Sequence, residues 1–177
     1  VFALLSVCFE MGMNGGNLVD SLDSQFGYED RSTYTENYNR KEALVQQACR
    51  LDSGWYRLED KTRRNANDAF SLGYHGLAHY SSFTNRNMSS FLSRLGVSAR
   101  VQGRFLRYSG SSNVIDSLLG IRYVIGRRAP HQDYVPAAEI DGFRLYENPD
   151  ALPAAFLSST DLGGFHIAQD ENVFEAQ

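Results

Sequence analysis

With 177 residues, 42% of them hydrophobic and 12% aromatic, the chain is long enough to form one domain with a genuine core. Its net charge of −4 argues against nucleic acid as a partner, because binding a phosphate backbone requires a basic patch. A mean hydropathy of −0.38 is that of a globular domain rather than of a bundle of membrane helices. Cys8 and Cys49 cannot make a disulfide framework, and both read as small buried hydrophobes.

The chain opens on Val1-Phe2-Ala3-Leu4-Leu5-Ser6-Val7-Cys8-Phe9, a nearly unbroken apolar run. A membrane-spanning helix needs about 20 apolar residues, so this run cannot span alone. It also lacks the basic start and small-residue cleavage site of a secretory signal. Two readings remain from the residues alone: the last turns of a transmembrane helix, or a buried strand. Residues 10 to 38 mix Gly12, Gly15, Gly16 and Gly27 with polar groups, sustain no period, and are expected to form an irregular connector.

Asn39 and Glu42 make a capping-box-like start for a helix near 40 to 52, with Leu44, Ala48 and Leu51 on one face. Alternation from Trp55 to Glu59 predicts a strand. Residues 60 to 85 are polar, punctuated by Gly73 and Gly76, and read as a long loop of the kind that often carries function. Met88, Phe91, Leu92 and Leu95 predict a helix near 86 to 95, capped by Thr84 or Asn85 and closed by Gly96. Val97 to Tyr108 suits one or two weak strands. A short helix near 113 to 119 then passes through Gly120 into the strand Ile121 to Ile125, the clearest topological signal in the chain. Residues 126 to 141 read as a basic, proline-containing excursion, Phe143 to Glu147 as a strand, and 154 to 158 as a last short strand. The tail from Ser159 reads as a linker to a following segment.

These elements predict an α/β fold: a small mixed sheet packed by about three helices, with the polar loop between the first strand and the second helix. Leu44, Leu58, Leu92, Leu118, Ile121, Tyr123, Ile125, Phe143 and Leu145 are its expected core. The expected organisation is a helix end and connector over 1–20, an α/β domain over 21–160, and a linker over 161–177.

The loop from Arg63 to Asn85 is the candidate binding surface. Arg63, Arg64, Asn67, Asp68, Tyr74, His75, His79, Tyr80, Ser82 and Asn85 supply donors, acceptors and aromatic faces of the kind that bind sugar hydroxyls. The alternative is that these side chains satisfy the loop's own backbone. His75 and His79 have the spacing of zinc ligands on a helix, but nearby glycines and the lack of a third ligand argue against a metal. Glu59 with Asp60, or Asp68 with Asp52, would suit acid–base chemistry only if folding set them at glycosidase separations. Ser81 or Ser82 beside His79 lacks a nucleophile elbow, and no nucleotide-binding glycine motif is present. No catalytic residue and no cofactor is therefore expected. Arg122, Arg127, Arg128 and Arg144 form a basic stripe, either for anionic lipid or polymer or paired with Glu139, Asp141 and Glu147.

Several segments in order also resemble the YfhO family of bacterial integral membrane proteins. Glu10 and Asn14 after the apolar run resemble that family's exit from a transmembrane helix, and Tyr56-Arg57-Leu58-Glu59 its YRIE strand. Asn67-Asp68, Gly73-Tyr74-His75-Gly76 and Tyr80-Ser81-Ser82 are similar to its long central loop. Leu118 to Ile125 resembles LLGVKYVI, Tyr146 to Pro153 resembles YENPNALP, and Asn172 to Gln177 is similar to its continuation into a β-rich segment. The likeness runs over residues 10 to 177 and favours the helix-end reading of the opening run. It implies a multi-spanning parent with a GT-C-type glycosyltransferase core, moving sugar from a polyprenyl-phosphate carrier onto a cell-envelope polymer such as teichoic acid. The catalytic acid of that class lies in an early loop of the membrane part, so no residue here inherits it. The implied role is a non-catalytic extracytoplasmic domain at the bacterial cell membrane. Its partners would be the transmembrane core of the same polypeptide and an envelope polymer or lipid-linked sugar. A carbohydrate-binding module is the alternative, and a free-standing hydrolase a third reading.

Overall fold

The computed structural model describes residues 2–26, 30–83, 85–97 and 105–157. The chain divides into two units, Val1–Tyr38 and Asn39–Gln177.

In the first unit the opening apolar run is helical, as part of α1 (Phe2–Phe26). Residues 10 to 38 are therefore not an irregular connector. Three glycines each weaken a helix by about 1 kcal/mol relative to alanine, and this made the segment read as loop. A Cβ at Gly12, Gly15 or Gly16 would meet nothing within 4 Å among the described residues. Phe2, Leu4, Leu5, Val7, Phe9 and Met11 are all exposed. No helix among the described residues is long and apolar enough to cross a membrane. The following helix, α2 (Arg31–Leu51), starts well before Asn39 because Asp30 caps it. The Asp30 carboxylate accepts from the Ser32 hydroxyl and from the Ser32 N–H at 3.0 Å, and its own carbonyl accepts from Tyr34 N–H at 2.9 Å. The Ser32 bonds hold the Asp30 carboxyl below its ordinary range.

The second unit is built on a four-stranded mixed sheet. Its order is β1 (Arg57–Asp60), β4 (Ile121–Gly126), β6 (Phe143–Glu147), β5 (Val135–Ile140). β1 runs parallel to β4, with Leu58 opposite Tyr123 and Asp60 opposite Ile125, whereas β4–β6 and β6–β5 are antiparallel. A parallel pair needs a long crossover. Here it holds α3 (Asp68–Leu72), β2 (His79–Tyr80), α4 (Arg86–Arg94), β3 (Phe105–Leu106) and α5 (Asn113–Leu118), with β2 and β3 paired antiparallel. Interior strand β4 is covered on both faces, which explains why Ile121, Tyr123, Val124 and Ile125 are all buried, with Arg122 alone half-buried.

The fourth strand is β5, within what read as an excursion, and not residues 154 to 158. Asp141 (φ 47°) and Gly142 (φ 80°) form a two-residue turn that folds β5 onto β6, with Ile140 opposite Phe143. Pro136 is tolerated because β5 lies at the sheet edge. Residues 151–157 form no strand, and Ser158 with the expected linker lies outside the described residues. The polar stretch 60–85 likewise contains α3 and β2 rather than loop alone. Asn85, not Thr84 (outside the described residues), caps α4, its Oδ1 accepting from Asn87 N–H at 2.9 Å and Met88 N–H at 3.3 Å.

Leu44, Leu58, Leu92, Ile121, Tyr123, Ile125, Phe143 and Leu145 are buried as expected. Leu118 is not: Ile115 and Leu119, four residues apart, take the inward face of α5 and turn Leu118 to solvent. Both cysteines are exposed rather than buried, Cys49 because the inward face of α2 belongs to Leu44, Val45 and Ala48.

Candidate functional site

Past β1 the chain is held by buried carboxylates. Asp60 Oδ1 accepts from the Thr62 N–H at 2.7 Å and its hydroxyl at 2.6 Å, while Oδ2 lies 2.6 Å from Lys41 Nζ. Lys41 also donates to the Thr62 carbonyl at 2.8 Å and sits 3.7 Å from Asp68 Oδ2. Asp68 in turn accepts from the N–H groups of Arg64 at 2.8 Å and Asn65 at 3.2 Å. Lys41, Asp60 and Asp68 are all buried, so this cluster fixes the path of residues 60–68.

Gly73, in the left-handed region (φ 73°), ends α3 and turns the chain back towards β1. The His75 carbonyl accepts from Leu58 N–H at 2.9 Å, so the returning segment is pinned to the strand. A Cβ on Gly76 would meet Ala69 Cβ at 3.1 Å and the Tyr74 ring at 3.2 Å, which is why glycine stands there. This return places His75 against Trp55, their rings stacked at 5.7 Å and 23°. Trp55 precedes β1, which starts at Arg57 rather than at Trp55, and the Arg57 guanidinium lies 4.8 Å from the Trp55 ring centre.

The outcome is an open groove of about 350 Å³ lined by Trp55, Arg57, Asn67, Phe70, Tyr74, His75 and His79, with small residues at its base. Trp55 is 45% exposed and Phe70 91% exposed. Burial raises the Tyr74 phenol's pKa, with the Asp60, Glu59 and Asp68 charges adding to the effect. The groove thus sets planar apolar faces beside amide, imidazole, phenol and guanidinium groups.

Asn67, Tyr74, His75 and His79 are thus brought together. The other candidates are placed elsewhere. Asp68 belongs to the Lys41 cluster and Asn85 to the start of α4. Tyr80 turns its ring onto Phe105 at 4.7 Å, and its N–H donates to Asn67 Oδ1 at 2.8 Å. Ser82 is exposed outside the groove lining. Arg63 donates from Nη1 to the carbonyls of Tyr108 at 2.6 Å and Asp60 at 3.3 Å, and with Arg64 lines a neighbouring cleft. Trp55, Arg57 and Phe70 also line the groove and were not among the candidates. The alternation that predicts one strand face for Trp55 and Arg57 was the signal available for two of them.

The carboxylates do not assemble as an acid–base pair facing the groove. Glu59 is buried, accepting from the N–H of Leu77 and from that of Ala78 at 3.4 Å, and burial pushes its carboxyl up to about 7. Asp52 pairs with Arg122 at 2.9 Å. Among the described residues no group of three or more His, Cys, Asp or Glu side chains could hold a metal. His79 Nδ1 is bonded to the Leu77 carbonyl at 2.9 Å.

Residues 1–177 match the family described as bacterial membrane protein YfhO. The chain belongs to the YfhO family. No characterised protein and no solved structure matches it. Membership of this membrane-protein family agrees with the resemblance carried by the YRLE, LLGIRYVI and YENPDALP segments. In this YfhO chain those segments are structural: they form β1, the α5–β4 step and the end of β6 with the turn after it. Two of the four stripe arginines are paired, Arg122 also 3.1 Å from Glu147 and Arg144 2.7 Å from Glu139, whereas Asp141 lies 3.0 Å from Arg40, outside the stripe. Arg127 lies over the Phe143 ring at 5.7 Å.

Proposed function

We propose that this region of YfhO is a non-catalytic saccharide-binding domain on the extracytoplasmic side of a multi-spanning bacterial membrane protein. In this reading the parent is a glycosyltransferase of the polyprenyl-phosphate-sugar type, and the domain holds the acceptor, an envelope polymer such as teichoic acid, near the membrane core. The observation that carries the proposal is the groove: an exposed Trp55 stacked by His75 and flanked by Arg57, Asn67 and Tyr74. Aromatic faces supply contact area for the apolar faces of a sugar ring, and the surrounding polar groups pair its hydroxyls. Membership of a bacterial membrane-protein family supports the setting. A hydrolase finds less support, because Asp68 is committed to Lys41 and to backbone N–H groups.

The side of the membrane is open to a direct check through Cys49, which is exposed. A membrane-impermeant maleimide applied to intact cells should label the protein at a site lost in Cys49→Ser. Labelling of Cys49 only after the cells are broken open would overturn the extracytoplasmic assignment.

A further inference from the structure

Next to the groove, a second cleft of about 320 Å³ is enclosed by residues 63–66 and 105–107. Its lining carries three guanidinium groups, from Arg63, Arg64 and Arg107, with Asn65 and the half-exposed Phe105 ring. No carboxylate stands among the described lining residues. The chain as a whole carries an acidic excess, so a cationic cleft is a local arrangement and not a by-product of composition.

Backbone pairing creates the arrangement. β2 and β3 pair through His79–Leu106 and Tyr80–Phe105, which holds Arg107 at the end of β3 near the Arg63 turn. The hydrogen bonds Arg63 makes to described residues all run through Nη1, to the carbonyls of Tyr108 and Asp60. Arg107 has no carboxylate partner among the described residues. Burial lowers the Arg63 pKa, the Glu59 carboxyl opposes that, and the Arg107 charge adds to it. The carboxylates that act on Arg63 are Glu59, which burial pushes up to about 7, and Asp60, which is itself paired with Lys41; both are buried and neither lines the cleft. Two cations held together repel, and a bound dianion relieves that repulsion.

We propose that this cleft binds a phosphate-class dianion, a phosphoryl or pyrophosphoryl group, through Arg63 and Arg107, with Phe105 flanking the group that carries it. Guanidinium forks match phosphate oxygens bidentately, and more than one fork suits a doubly charged ligand better than a single carboxylate. The site is separate from the saccharide groove and stands without it. The phosphate could belong to a soluble ester or to a lipid headgroup.

Inorganic pyrophosphate titrated into the full chain by calorimetry at low salt should give saturable binding. Arg107→Gln should weaken it about tenfold, the loss of one charge-assisted pair. Arg144→Gln, removing an exposed arginine paired to Glu139 elsewhere, should leave it unchanged. Parallel sedimentation with phosphatidic acid and phosphatidylcholine vesicles separates the sources, since phosphatidic acid carries its phosphate as a monoester. Pyrophosphate-displaceable binding to the anionic vesicles supports the site with a lipid headgroup as ligand. Pyrophosphate binding without vesicle binding supports it with a soluble phosphate ester. Absence of saturable pyrophosphate binding, or equal affinity in Arg107→Gln and the parent, would overturn the proposal, as would an equal loss in Arg144→Gln.

Discussion

Replacing Lys41 by Met is expected to destabilise the second unit by about 3–5 kcal/mol, the range for breaking a buried ion pair from one side. Lys41 is 3% exposed and Asp60 fully buried, with 2.6 Å between Nζ and Oδ2. Asp60 Oδ2 accepts no hydrogen bond of ordinary geometry, so its charge depends on the ammonium group beside it. Methionine fills the volume of the lysine stem but leaves that carboxylate, and Asp68 behind it, without a counter-charge in the interior. Urea denaturation measures the loss. A companion variant, Lys41→Met with Asp60→Asn, should recover part of it, because asparagine keeps an acceptor for Thr62 while removing the closer stranded charge, and Asp68 retains its two backbone N–H donors. A change within about 1 kcal/mol for Lys41→Met alone, the size of an exposed ion pair, would show that the cluster does not anchor residues 60–68.

Glu59 should make stability fall as pH rises from about 4.5 to about 7. Its carboxyl is raised from 4.5 to about 7, because burial penalises its charge more than the bonds from Leu77 and Ala78 and the Arg63 charge favour it. Below the lower value both folded and unfolded chains hold the proton, and Glu59 contributes no pH dependence. Between the two values the unfolded chain has released its proton while the folded one retains it, so raising the pH favours unfolding. Above about 7 the folded form ionises as well, and the penalty stays at its full size of about 3 kcal/mol. Glu59→Gln keeps an Oε1 acceptor for the two N–H groups and cannot ionise. Denaturation midpoints of the parent should therefore drop towards alkaline pH relative to those of the variant. Parallel curves for the two proteins would contradict the assignment.

The legible parts of the fold are those where local pattern and tertiary demand agree. Ile121, Tyr123, Val124 and Ile125 are all buried because β4 is covered on both faces, and Phe143 and Leu145 alternate with the exposed Arg144 on β6. Asn85 announces α4 by chemistry that needs no tertiary context. β5 was hidden by Pro136 and the flanking basic residues, although Asp141-Gly142 is a strong local signal for a two-residue hairpin. α1 was hidden by its glycines. In the groove, the polar and aromatic contributions of Asn67, Tyr74, His75 and His79 were visible as residue types. Their meeting with Trp55 was not, because it depends on the left-handed Gly73 and on the bond from Leu58 to the His75 carbonyl, both products of folding. Asp68 looked like a site residue for the same reason that it is buried: a carboxylate in a polar turn serves a ligand or a backbone equally well until its neighbours are known.

Trp55 is the only tryptophan in the sequence, so its emission reports directly on the groove. The most direct test is a fluorescence titration of the full chain with oligosaccharides of glucose, galactose and N-acetylglucosamine. The saccharide-binding account predicts a saturable change in Trp55 emission with at least one of them, lost in His75→Ala, which removes the stacked imidazole without touching the core. Emission that stays flat across the whole panel, or a response that survives intact in His75→Ala, would contradict it.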